Sequence, residues 1–144
     1  MFVMADSASA ADGYFYEVNQ NQTTAKVGDH VQIEVVVDTI PSDQGYSLDN
    51  VTVQAYITPR LKVENVSTTY GTYENGTWYL GDGYYGTATA TFYCLVNGTG
   101  TLTGQFYLRA NNDENWDNNY ARIDIDVPFT DLKATARAPT RLSP

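Results

Sequence analysis

One cysteine and one histidine are all that this chain of 144 residues offers to thiol or imidazole chemistry. A lone cysteine closes no internal disulfide, which excludes a disulfide-stapled scaffold without excluding an extracellular one. Basic residues are scarce too: eight Lys and Arg face 17 Asp and Glu, for a net charge of −9. Recognition of a phosphate backbone works by basic side chains displacing counterions, so nucleic acid is not expected as a partner. No apolar run reaches the length of a membrane span, and no direct membrane insertion is expected of this segment. No ten-residue stretch carries a convincing helical period. Zinc-ligand spacing, a glycine-rich phosphate cradle and a nucleophile elbow are all missing from the sequence. No catalytic residue is assigned, and an enzyme is not expected.

What the chain does hold is 42% apolar and 13% aromatic residues, which excludes intrinsic disorder. It has 18 Thr, 12 Tyr, 11 Asn and 11 Gly, a composition of strands and turns. The apolar residues recur with a period of two. Val31, Ile33, Val35 and Val37 alternate with Gln32, Glu34, Val36 and Asp38. Val51, Val53, Ala55 and Ile57 form a second such series, and Ala88, Ala90, Phe92, Cys94 and Val96 a third. Leu102, Gly104, Phe106 and Leu108 make the fourth, and Ala121, Ile123, Ile125 and Val127 the fifth. Each series predicts a strand with one face on a core and the other toward water. Weaker strands are predicted near 13–18, 61–67 and 77–80. Turn signals separate them, among them Gly28-Asp29, Asn75-Gly76 and Asn97-Gly98, the last two read as hairpin dipeptides. The expected fold is all-β, an immunoglobulin-like antiparallel β-sandwich of about seven or eight strands.

Organisation follows from where the pattern stops. The sandwich is expected over residues 12–127, which hold five basic against 15 acidic residues, a charge of −10. Residues 1–11 lack a basic segment and a continuous apolar stretch, so they read as an extension and not as an intact signal peptide. Residues 128–144 hold three of the five prolines among small and basic residues and read as a tail or linker.

Val27-Gly28-Asp29-His30-Val31-Gln32-Ile33 resembles the opening of a conserved repeat domain of unknown function, found in tandem in archaeal and bacterial surface proteins. The similarity continues through Leu48-Asp49-Asn50-Val51-Thr52-Val53 and Pro59-Arg60-Leu61-Lys62-Val63. Its most distinctive piece is Gly71-Thr72-Tyr73-Glu74-Asn75-Gly76-Thr77-Trp78-Tyr79-Leu80-Gly81, and the acidic run Asp113 to Asn119 completes it. The chain departs from that family in the longer loop from Asp38 to Gly45 and in Trp116, where prolines are usual. The resemblance implies an immunoglobulin-like module, related to cell adhesion and archaeal in style, in an adhesin-like protein outside the cell. The partners it implies are neighbouring repeats and other cell-surface proteins or glycans.

Five Asn-x-Ser/Thr sequons begin at Asn21, Asn50, Asn65, Asn75 and Asn97. With 11 Asn and 24 Ser plus Thr, chance gives roughly two, so the excess supports a glycoprotein surface, although composition alone also produces sequons. The run containing Asp113, Asn115, Asp117 and Asn119 packs oxygen donors at the density Ca²⁺ requires, without the spacing of an EF-hand loop. Ca²⁺ is therefore the only cofactor the sequence offers. The same run also reads as a solvated turn whose side chains bond their own backbone. Tyr70, Tyr73, Tyr79, Tyr84 and Tyr85 form a dense aromatic stretch suited to a binding surface, or simply to strands. Asp124 and Asp126 share one face of the last strand but lack the cleft that glycoside hydrolysis needs. His30 reads as a surface residue and Cys94 as a small buried hydrophobe. A self-formed amide bond would need a buried lysine, and Lys26 and Lys62 are the candidates in the body.

Three functions stay open at this level. The first is a non-catalytic adhesion or stalk unit of an exported surface protein. A second is a carbohydrate- or protein-binding module working through residues 70–85. In a third, a filament subunit donates residues 1–11 or 128–144 as a strand to its neighbour.

Overall fold

A computed structural model of the chain describes residues 12–40, 48–82, 86–111, 113 and 119–129. The extension 1–11, most of the tail, and the candidate residues Tyr84, Tyr85, Asn115 and Asp117 lie outside the described residues. Nine strands run in chain order among those described: β1 (Asp12–Gln20), β2 (His30–Ile40), β3 (Val51–Ile57), β4 (Leu61–Thr68) and β5 (Thr72–Glu74), then β6 (Thr77–Gly81), β7 (Gly86–Val96), β8 (Gly100–Arg109) and β9 (Tyr120–Val127). They form two antiparallel sheets, in the orders β1-β2-β7-β4 and β5-β6-β3-β8-β9. β1, β2, β7 and β4 stand where A, B, E and D stand in an immunoglobulin domain, and β3, β8 and β9 where C, F and G stand. The hairpin β5–β6 widens the second sheet at its β3 edge.

The alternation read from the sequence is the burial pattern of the strands. Ala88, Ala90, Phe92, Cys94 and Val96 of β7 are all buried, as are Leu102, Phe106 and Leu108 of β8. Phe92 and Phe106 meet between the layers with ring centroids 5.6 Å apart. Tyr73 of β5 abuts Phe92 edge to face at 5.4 Å, so three aromatic rings from three strands bridge the two sheets. Such pairs add about 0.5–1.5 kcal/mol each to the burial of the rings themselves. Trp78 is fully buried, and its indole N–H is satisfied by donating to the Tyr70 carbonyl at 2.8 Å. Gly71 sits beneath that contact with φ +79°, where an added Cβ would strike the Tyr79 carbonyl. Only glycine fits there.

Two turns show what local sequence decides and what it leaves open. Asn75 and Gly76 both adopt positive φ, 50° and 85°, and close the β5–β6 hairpin as the dipeptide predicts. Asn97-Gly98, expected to do the same, does not. β7 and β8 belong to different sheets, so residues 97–99 carry the chain across the sandwich, and the positive φ falls on Gly100 instead. Strand β5 has no counterpart in the sequence reading because it is three residues long and turns only Tyr73 inward.

The path of the chain defines two poles. Asp12 begins β1 at the end where β8 gives way to β9. There Gly13 lies against Leu48 and Leu108, and the Leu108 N–H donates to the Asn119 carbonyl. At the other end the chain leaves β1 and crosses to the open edge of β9. Ala25 N–H donates to the Asp126 carbonyl at 3.0 Å, and Asp126 N–H to the Thr23 carbonyl at 2.8 Å, in parallel alignment. Hence β1 and β9 point the same way. The chain comes in at a leading pole by Asp12 and goes out at a trailing pole by Val127.

Candidate functional site

The outer face of the five-stranded sheet assembles side chains that are far apart in sequence. Register pairs Gln54 of β3 with Tyr107 of β8, Tyr107 with Tyr120 of β9, and Tyr56 with Gln105. The rings of Tyr56 and Tyr107 lie edge to face at 5.6 Å, and those of Tyr107 and Tyr120 are tilted at 5.0 Å. One carboxamide organises two of them. Gln105 Oε1 accepts from the Tyr107 hydroxyl at 3.3 Å and from the Tyr120 hydroxyl at 3.1 Å. Gln54 Oε1 accepts from Tyr56 at 3.2 Å. Tyr56, Gln105, Tyr107 and Arg109 line a shallow depression of about 460 Å³. Tyr56 and Tyr120 remain 56% and 45% exposed, so the platform offers aromatic contact area held at low entropy cost.

The tyrosine stretch picked out by its density in sequence is divided by the fold. Tyr70 and Tyr79 are exposed, whereas Tyr73 is half-buried against Phe92. Desolvation by burial accordingly raises the Tyr73 phenol above its usual range, with Cys94 adding to the shift. The alternation of apolar residues puts Tyr56 and Tyr107 on the polar faces of their strands. It could not show that β3, β8 and β9 bring them together with Tyr120.

The five sequon asparagines, Asn21, Asn50, Asn65, Asn75 and Asn97, are all exposed. Asn21 uses its side-chain oxygen to accept the Gln32 N–H at 2.8 Å. Of the acidic run, Asp113 and Asn119 are buried at the leading pole, where Asn119 Nδ2 donates to Asp113 Oδ2 at 2.8 Å. Among the described residues, no three His, Cys, Asp or Glu side chains gather as a metal-ligand group.

The remaining candidates fall on open surface or in the core. His30 is exposed, with Nε2 3.5 Å from Glu64 Oε1. Asp124 and Asp126 are exposed on β9, and the Asp124 carboxylate accepts from the Thr103 hydroxyl and from Arg122 Nε. That hydrogen bond raises the Arg122 guanidinium further above its usual range. Cys94 is buried in the core, and desolvation pushes its thiol up to about 12, the opposite of what a nucleophile needs. Lys26 and Lys62 are exposed, so neither is the desolvated lysine that an internal amide bond requires.

No family model matches the chain. Among solved structures, the chain is similar to the CARDB domain of a Pyrococcus furiosus protein, crystallised in complex with di-metal ions. The TM-score is 0.56 at 21% identity, over 83% of this chain and 90% of that one. The solution structure of the same domain superposes with a TM-score of 0.56 at 20% identity, over 83% of this chain and 96% of that one. A collagen-binding domain from a Staphylococcus aureus adhesin reaches a TM-score of 0.46 at 9% identity over 76% of this chain and 96% of that one, too distant to weigh. At these identities the likeness speaks to fold alone. The protein is an immunoglobulin-like β-sandwich.

Proposed function

We propose that the protein is a non-catalytic module of an exported cell-surface protein, serving as an adhesion or stalk unit. The observation that carries this reading is the path of the chain, in at the leading pole and out at the trailing one. A unit threaded this way extends a tandem array instead of folding it back. The 11 residues of β7 set an axial length of roughly 35–40 Å per unit. Five exposed sequon asparagines support an extracellular setting. The test is small-angle scattering on one copy and on two copies joined head to tail through residues 128–144. The maximum dimension should grow by about the axial length of one unit. A two-copy chain no longer than one copy would defeat the stalk reading.

A second reading, a carbohydrate- or protein-binding module, is favoured by the Tyr56–Tyr107–Tyr120 platform, with Tyr79 exposed on β6 of the same sheet. Its test is a glycan array probed with the parent and with a Tyr56→Ser, Tyr120→Ser double variant. Binding lost in the variant supports it, and a parent that binds nothing counts against the carbohydrate form. Strand donation is the least supported reading. The segments it would donate lie outside the described residues, and the edge of β9 is already bonded at Asp126.

A further inference from the structure

The leading pole carries Asp12, Asp49, Asp82 and Asp113. Asp49 sits there with its carbonyl accepting the Asn111 N–H at 2.8 Å, and the Asp82 carboxylate accepts the Asn50 N–H at 2.6 Å. Asp113 closes over the same end in the β8–β9 connection. Five basic side chains are described, and three of them, Lys26, Arg60 and Lys62, belong to the trailing half of the molecule. Arg109 is nearest the leading end, but it lies on the outer face of the sheet, lining the tyrosine depression.

Within this acidic end two polar side chains are buried, Asp113 at 6% exposure and Asn119 at 7%. Asn119 spends its amide nitrogen on Asp113 Oδ2, 2.8 Å away. Its amide oxygen is buried and has no hydrogen-bond partner among the described residues. A buried carbonyl oxygen in that condition is costly, and native proteins rarely tolerate one. Rotating the amide gives no relief, because it would press the carbonyl oxygen against a carboxylate oxygen, acceptor on acceptor. The orphan is therefore an oxygen, held in place by the carboxylate beside it. What completes it must be a hydrogen-bond donor or a cation. A water molecule would fill one lone pair. A cation would do so and also answer the charge of a body carrying five basic against 15 acidic residues.

We propose that Asp113 and the Oδ1 atom of Asn119 are ligands of a hard divalent cation, Ca²⁺ foremost, bound at the leading pole. One carboxylate and one carboxamide oxygen are the donor types that hard cations take, with water able to complete the shell. The site stands or falls independently of the stalk reading, because it concerns one copy of the chain alone.

The experiment uses the full chain stripped with EDTA and titrated with CaCl₂, following heat of binding and melting temperature. The expected result is saturable binding to one ion, with Kd in the range of about 10⁻⁴–10⁻³ M typical of extracellular modules. Several degrees of added thermal stability are expected at about 10 mM Ca²⁺. Asp113→Asn keeps the shape of the site and should weaken binding at least about tenfold by removing the charge. Asn119→Asp sets two carboxylates against each other, so it should melt below the parent without Ca²⁺ and recover that loss when Ca²⁺ is added. A hydrogen bond of purely structural value, or an internal water, predicts an Asn119→Asp chain that stays destabilised at every Ca²⁺ concentration. That result would overturn the proposal, as would a parent without heat or melting shift, or a shift that KCl of equal ionic strength reproduces. If Asn119→Asp does not fold, the parent and Asp113→Asn titrations decide by themselves.

Discussion

The two outer faces of the sandwich obey one alternation rule and present different chemistry. Beyond β2 and β7 the four-stranded sheet shows Gln32, Glu34, Thr87, Thr89, Thr91 and the one ring of Tyr93, mostly polar groups that solvent can serve one at a time. Beyond β3, β8 and β9 the five-stranded sheet shows three coupled tyrosines, two of them tied by one glutamine. Between them lies a shared core, in which Phe92 from one sheet meets Phe106 from the other. The period of two decides which side of a strand faces water. Cross-strand register decides whether the groups on that side act singly or as a set.

Substitutions at graded positions sharpen that contrast. Phe92→Ala removes the ring that both Phe106 and Tyr73 pack against, and should cost about 3–5 kcal/mol in urea denaturation. A value near that of a surface substitution would mean that the two sheets do not share one core. Gly71→Ala forces a Cβ at φ +79° toward the Tyr79 carbonyl and should cost about 2 kcal/mol or more by the same measurement. High pH probes the core from another side. Burial raises Cys94 from 9.0 to about 12, so the folded state binds its proton more tightly than the unfolded state does. That stabilisation is whole below pH 9 and is lost as pH rises through about 12. Tyr14, raised mainly by its hydrogen bond to Asp38, adds a fall of the same sign, as does buried Tyr73. The urea midpoint should therefore drop between pH 8 and 10.5, less steeply in Cys94→Ala, and a flat profile in the parent would contradict the burial of these groups. Smallest of all is the difference between the faces. Tyr107→Ala should cost about 1–2 kcal/mol through its two ring contacts, whereas Thr91→Ala should stay within about 0.5 kcal/mol. Equal losses at the two positions would erase the distinction between a set and a row of single groups.

The strands were legible in the sequence wherever the alternation was long enough to repeat. Ala88 through Val96 could be assigned face by face, and so could Leu102 through Leu108 and Ile123 through Val127. Connections were less legible. Asn75-Gly76 and Asn97-Gly98 carry the same local preference, but only the first joins strands that pair, because a dipeptide cannot report which sheet the next strand enters. Density misled in the aromatic stretch: Tyr73 stands among exposed neighbours yet turns to Phe92, while Tyr56, Tyr107 and Tyr120 meet from three separate strands. Of the acidic run, the oxygen-rich composition was plain. The unpartnered Asn119 oxygen was not, since it arises from burial and from the neighbour its own amide nitrogen has chosen.

The parallel bonding of Thr23 and Ala25 to Asp126 has a mechanical consequence. Tension pulling the leading and trailing poles apart runs along β1 and β9, so the ladders binding them to β2 and β8 are dragged lengthwise. Rungs loaded in that direction resist together and must rupture together, where a peeled strand would give way rung by rung.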